Sequence, residues 1–178
     1  ENLFGSGKQF FSSTHRLIVD RKFLIITSVN TEDSKHIIIE KDNKHVTAKN
    51  FILHLEYSKI ASPIKFNDSG NIAYFDTDKI SFPLTLRVWK KGDYFYPIGM
   101  YKKPAKTVGG ETNPALKPAK KKVSDVLTNM KVNLHEKENT FVLLNDDRII
   151  WLVGLRQDER FKVSKNTKHL LKIKMLPG

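Results

Sequence analysis

The apolar residues of this chain come in short β-branched or aromatic runs cut by turn-forming residues, a spacing that antiparallel hairpins satisfy and long helices do not. Arg16-Leu-Ile-Val-Asp20, Phe23-Leu-Ile-Ile-Thr27, His36-Ile-Ile-Ile-Glu40 and Phe51-Ile-Leu-His-Leu55 each read as a strand, with Lys41-Asp-Asn-Lys44 as a turn. Asn71-Ile-Ala-Tyr-Phe-Asp76 and Leu84-Thr-Leu-Arg-Val88 continue the pattern. Asn67-Asp-Ser-Gly70 supplies a turn, and Pro83 suits a strand start or edge. Phe141-Val-Leu-Leu144, the Asx-rich turn Asn145-Asp-Asp-Arg148 and Ile149-Ile-Trp-Leu-Val153 form a further hairpin. The last strand, Lys168 to Met175, alternates lysine with apolar residues over its second half, so one face is core and the other basic. One segment is helical: Val123, Val126, Leu127 and Met130 fall at i, i+3, i+4 and i+7, with another helical turn over Leu134 to Asn139. Ile, Leu, Val and Phe make up 54 of 178 residues, enough for a packed core. The expected fold class is α+β and β-rich, with antiparallel hairpins and one or two short helices.

Several functions are excluded or unsupported. With no cysteine, a disulfide framework, a thiol nucleophile and a Cys-ligated metal are ruled out. Phe23 to Ile26 and Ile149 to Val153, the longest apolar runs, fall far below the roughly 20 residues that span a bilayer. No signal-peptide pattern is visible, and no cofactor site is expected in this chain. Gly5-Ser-Gly-Lys8 resembles the end of a phosphate-binding loop, but its first glycine is missing and strand follows instead of helix. None of the six histidines stands at metal-ligand spacing. Asp146-Asp147 and Asp158-Glu159 are better explained by turn chemistry and salt bridging than by acid and base catalysis. No catalytic constellation emerges.

The charge is lopsided. Residues 1–82 hold 11 basic and 10 acidic side chains, and residues 83–178 hold 20 and 9, so +11 of the total +12 lies in the second part. A solubility requirement would spread such charge, whereas a concentrated excess points to an anionic partner, with nucleic acid ahead of a membrane surface. The chain divides on this basis into a β-rich first subdomain, 1–82, and a basic second domain, 83–178. Within the second, residues 101–119 carry prolines, glycines and lysines with few large aliphatic side chains, and read as a basic, mobile loop.

Basic and aromatic residues interleave at Arg87-Val-Trp-Lys-Lys-Gly-Asp-Tyr-Phe-Tyr-Pro97. Arg87, Lys90 and Lys91 can pair with phosphates and an exposed aromatic can stack on a base, while Trp89, Phe95 and Pro97 serve equally well as core beneath a tight turn. Lys120, Lys121 and Lys122 precede the helix at Val123, where cations oppose the helix dipole and an incoming phosphate would reverse the penalty.

Three blocks carry a resemblance: Leu84 to Met100 with its Gly-Asp-x-Phe-x-Pro-x-Gly-Met pattern, Lys121-Lys-Val-Ser-Asp-Val-Leu127, and Ile150 to Val163 with Gly-x-Arg-x-Asp-x-Arg-Phe. Their order and spacing resemble the C-terminal domain of bacterial tRNA(Ile)-lysidine synthases over roughly residues 80 to 175. Gly7 to Leu17 resembles the segment preceding that domain. The resemblance implies a small β-sandwich or barrel-like unit, similar to one in the phenylalanyl-tRNA synthetase β subunit. In the family, ATP adenylates the wobble cytidine of an isoleucine tRNA and lysine then replaces its C2 oxygen, in an N-terminal domain with a Ser-Gly-Gly-x-Asp-Ser loop. That loop does not occur here; Gly109-Gly110 is flanked by Val and Glu.

The chain is therefore expected to be the tRNA-binding region of a cytoplasmic ligase without its catalytic domain. ATP would belong to the parent enzyme, and the partners would be isoleucine tRNA, held on its acceptor-stem side, and the N-terminal catalytic domain. Oligomeric state is left open. The residues expected to contact tRNA are Arg87, Lys90, Lys91, Lys120, Lys121, Lys122, Lys131, Arg156, Arg160 and Lys162. Tyr94 and Tyr96 stand where basic side chains are common in the family, which favours stacking there. The 101–119 loop is an insertion and Asn133 replaces a frequent proline. The competing reading is a basic module for protein or anionic-membrane contacts, but the only clear helix is short, with a stripe sized for its own core.

Overall fold

The structure, a computed structural model, describes residues 7–20, 23–29, 36–60, 70–102 and 117–178. In chain order the strands are β1 (Gln9–Phe11), β2 (His15–Asp20), β3 (Phe23–Ser28), β4 (Ile37–Ile39), β5 (His45–Thr47), β6 (Phe51–Lys59), β7 (Ile72–Asp76), β8 (Leu84–Val88), β9 (Tyr94–Phe95) and β10 (Lys121–Lys122). Helices α1 (Val123–Asn129) and α2 (Leu134–Glu138) follow, then β11 (Phe141–Asn145), β12 (Arg148–Leu152), β13 (Arg156–Gln157) and β14 (His169–Pro177).

Two sheets form the body. One has the order β13-β12-β11-β8-β4 and the other β5-β6-β14-β7, with antiparallel neighbours in both. Side chains alternate across a strand, so Ile39, Leu84, Leu86, Phe141 and Leu143 leave one face of the first sheet. They meet Leu53, Leu55, Ala73, Phe75, Leu171 and Ile173 from the second, making a β-sandwich. The opposite face of the first sheet presents Val142, Leu144, Ile149 and Leu152, which α1 covers with Val123, Val126 and Leu127, joined by Phe95. Strand β11 is thus buried on both faces, which explains why its sequence does not alternate.

A bulge completes this layer. Leu144 pairs with Ile149 but Leu143 pairs with Trp151, leaving Ile150 as the extra residue. The shift places both Ile150 and Trp151 in the sandwich core, each fully buried.

Strands β1, β2 and β3 form a separate antiparallel sheet. Arg16 of β2 ties it to α2 through an ion pair with Glu138. Phe10 and Ile26, both paired to Leu17, share a face with Leu24, and these three stand 52 %, 71 % and 59 % exposed.

The β-rich α+β architecture follows the expectation, and the structure adds detail. Strand β6 runs on to Lys59 and β14 to Pro177 because each is the other's partner over nine residue pairs, whatever the polarity of Glu56 to Lys59. The short β5, β13 and the β9–β10 ribbon were not legible as strands. Helix α1 ends at Asn129, with Met130 41 % exposed instead of buried and Lys131 at φ 57°. Strands from either side of residues 82–83 share both sheets: β4 pairs with β8, and β14 pairs with β6 and β7. The ends of the 101–119 segment are clasped by Lys102 N–H to Lys117 O and Ala119 N–H to Met100 O, both 2.9 Å. Residues 103–116 of this expected loop lie outside the described residues, as do most of the turn at 67–70 and the start of Gly5 to Lys8. Among the described residues no helix is long and apolar enough to cross a membrane.

Candidate nucleic-acid interface

The basic surface is organised by the chain from Arg87 to Tyr101. Arg87 leaves β8 half-buried and clamps Asp93 with two hydrogen bonds, Nη1 to Oδ2 at 2.7 Å and Nη2 to Oδ1 at 2.9 Å. Asp93 Oδ2 also accepts from Lys90 N–H at 2.7 Å, and Asp93 N–H donates to Lys90 O, so the turn is closed from both sides. Gly92 sits in this turn at φ 100°, a conformation that L side chains rarely adopt. Burial pushes the Asp93 carboxyl up, but the guanidinium and the Lys90 N–H outweigh it and hold it below the usual carboxylate range. Trp89 is half-buried and gives its indole N–H to Lys137 O, and Phe95 is fully buried, so these two are core. Lys90 and Lys91 project from the rim of the turn, exposed.

β9 and β10 pair Tyr94 with Lys122 and Phe95 with Lys121. All three lysines 120–122 are exposed, and the Lys120 ammonium lies 3.4 Å from the Tyr94 ring centroid, a cation–π contact. At the start of α1, where a phosphate site is expected, one first-turn N–H is already engaged. Lys121 and Lys122 belong to a strand, and the Val123 N–H that would open the helix is already donated to Asp93 O. That same bond brings the lysine run against the Lys90 to Asp93 turn, so Lys90, Lys91, Lys120, Lys121 and Lys122 flank one ribbon. None of the five appears in an ion pair among the described residues.

The remaining basic candidates lie elsewhere or are engaged. Arg160 clamps Asp158, a fully buried carboxylate, with Nε to Oδ1 and Nη2 to Oδ2 both at 2.9 Å, and its guanidinium stacks 4.4 Å from the Tyr96 ring centroid. Asp158 also accepts from Tyr96 N–H. Lys162 pairs with Glu159, which further accepts from Tyr101 Oη at 2.8 Å and Gly99 N–H at 3.2 Å. Burial raises the Glu159 carboxyl, yet Lys162, Tyr101 and Gly99 hold it low, and Lys162 is itself raised by this hydrogen bond. Arg87, Arg160 and Lys162 therefore anchor the turns beneath the surface. Lys131 is exposed at the far end of α1, away from the ribbon. Arg156 of β13 lines a cleft of about 650 Å³ together with Tyr74, Ile98 and Gly99.

The salt bridging expected of Asp158-Glu159 is present, with Arg160 and Lys162 as the partners, whereas Asp93 as the anchor of Arg87 was not foreseen. The signal for the former was the basic company noted for Asp158-Glu159, but which carboxylate takes which cation depends on strand pairing. Tyr94 and Tyr96 each bear a cation on one face, the exposed Lys120 on Tyr94 and the Asp158-bound Arg160 on Tyr96. No group of three or more metal-ligating side chains occurs among the described residues.

Residues 3–29 match the family model of the TilS substrate binding domain. The chain is 38 % identical over 174 residues to the tRNA(Ile)-lysidine synthase of Parabacteroides distasonis, covering 96 % of the chain and 35 % of that protein. It is 30 % identical to the enzyme of the same name from Bacteroides thetaiotaomicron, covering 96 % of the chain and 33 % of that protein. The chain thus spans about a third of the length of these relatives. A crystal structure of a TilS C-terminal domain superposes with a TM-score of 0.56, covering 82 % of this chain and 98 % of that one at 14 % identity, which establishes the shared fold. On sequence and fold together, the chain belongs to the tRNA(Ile)-lysidine synthase family and has the architecture of its C-terminal domain.

Proposed function

We propose that this chain is the tRNA-binding region of a cytoplasmic tRNA(Ile)-lysidine synthase, gripping isoleucine tRNA through its phosphates while the remaining two-thirds of the enzyme performs the ATP-dependent ligation of lysine to the wobble cytidine. The observation that carries this reading is the gathering of Lys90, Lys91, Lys120, Lys121 and Lys122 around the β9–β10 ribbon, exposed and without carboxylate partners among the described residues. Unpaired surface lysines supply phosphate contacts that are indifferent to sequence, which suits the A-form acceptor stem. Lys131 would add one contact from the end of α1. The apolar face of Phe10, Leu24 and Ile26, within the segment matching the substrate-binding model, offers a surface against which the rest of the enzyme packs.

Titration of the protein with isoleucine tRNA and, at matched salt, with anionic phospholipid vesicles tests the reading. Tighter binding to tRNA is expected; preference for vesicles would favour an anionic-surface module instead. Incubation with ATP, lysine and tRNA should release no pyrophosphate, and release dependent on this chain would overturn the division of labour.

A further inference from the structure

The cleft between β7 and β13 has a composition different from the lysine ribbon. Ile72, Ile98, Leu155 and Val163 give it apolar walls, and Tyr74 and Arg156 complete the part that matters here. Among the described arginines, Arg16, Arg87, Arg148 and Arg160 each pair with a carboxylate, whereas Arg156 pairs with none. Among the described residues no acidic side chain lines the cleft, while another cleft, of about 590 Å³, includes Asp78 in its wall. The neighbouring polar groups are already committed. Gln157 spends its amide on the Tyr74 backbone, accepting from N–H at 3.0 Å and donating to O at 2.6 Å, and Lys162 is held by Glu159. The cleft therefore offers an apolar slot and one guanidinium whose charge is not neutralised within the described residues.

We infer that this cleft holds a single unpaired nucleotide, with its base between the apolar walls and its phosphate on Arg156. A duplex cannot enter a cavity of this size, but one base and its sugar fill such a space, and apolar walls bind every base by its face. Because two hydrogen bonds to the Tyr74 backbone fix the Gln157 amide in place and the remaining walls are mostly apolar, the slot holds a base chiefly by its faces and is tolerant of base identity. Its position supports a joint role with the ribbon. Ile98, in the wall, follows Tyr94 of β9 by four residues, so at most about 14 Å of chain separates the cleft from Tyr94, the strand partner of Lys122. A strand leaving a helical stem gripped at the ribbon reaches the cleft within a few nucleotides. The inference rests on the tRNA-binding reading and goes beyond it in naming the single-stranded element.

The test uses two probes: a four-nucleotide single-stranded RNA carrying a 5′-phosphate and 2-aminopurine, and a blunt twelve-base-pair RNA duplex with no unpaired nucleotide. The unaltered protein should bind both and change the 2-aminopurine fluorescence on binding the first. Arg156→Ala should weaken the tetranucleotide at least tenfold while duplex affinity stays within about twofold. Ile98→Trp, which fills the slot while keeping the arginine, should do the same, and thermal unfolding of both variants checks the fold. If Ile98→Trp does not fold, Arg156→Ala decides alone. Lys121→Glu/Lys122→Glu should show the converse loss, mainly on the duplex. Unchanged tetranucleotide affinity in Arg156→Ala overturns the cleft assignment and leaves the ribbon reading standing if the duplex still binds. Failure of the duplex and whole tRNA to bind at all overturns the ribbon reading itself.

Discussion

Arg87 illustrates how one residue's chemistry is decided by its neighbours. As a bare arginine in a basic run it reads as a phosphate ligand, yet its side chain is 11 % exposed and both of its outer nitrogens meet Asp93. Removing it strands a carboxylate that is itself only 14 % exposed. Arg87→Ala should therefore cost about 3 kcal/mol of stability, read by urea unfolding, with any loss of RNA affinity following from the disordered turn. Unchanged stability with weakened binding would make Arg87 a direct contact instead. The same pairs set the acid limb. Asp93 and Glu159 have folded-state values below their unfolded ones, so their contribution is complete above the unfolded carboxylate range near pH 4 and is lost as the pH falls through the folded values. Lys162, shifted upward, contributes below its unfolded value and loses that contribution only as the pH rises through the folded one. Asp93→Asn should lower stability at neutral pH and flatten its decline below about pH 4; an acid limb identical to that of the unaltered protein would refute the assignment.

At the scale of elements, the long strands were legible and the short ones were not. Phe141 to Leu144 and Leu84 to Val88 announce themselves because burial on a sheet face demands apolar residues at a period the eye can follow. The pairing of Lys121 and Lys122 with Phe95 and Tyr94 leaves no such mark, since a two-residue ribbon is fixed by hydrogen bonds between segments 26 residues apart in sequence and not by its own side chains. Helix α1 was read correctly up to Leu127, but its end was not: Lys131 adopts the left-handed conformation at which glycine commonly closes a helix. Lys131→Gly should consequently raise stability by about 1 kcal/mol. If Lys131 also contacts a phosphate, the same variant should bind tRNA with a salt slope shallower by about 1. A drop in stability would show that the lysine side chain, not the backbone, determines that turn.

For the whole molecule, the charge arithmetic located a basic half without locating its face. Basic residues after position 82 divide between two ends: Arg87, Arg160 and Lys162 neutralise buried or part-buried carboxylates, and the lysines around the β9–β10 ribbon remain free among the described residues to meet an anion. No count of charges separates these roles, because the separation depends on which carboxylates the sandwich buries. The most direct test is a tRNA titration over a range of salt for the unaltered protein and for Lys120→Glu/Lys121→Glu/Lys122→Glu. With about five phosphate contacts the slope of log K against log salt should lie near −3 to −5. The triple variant should unfold at the same temperature or slightly higher, bind more than tenfold more weakly, and show a slope shallower by about 2 to 3. Equal slopes and equal affinities for the two proteins would contradict the account and place the binding surface away from the ribbon.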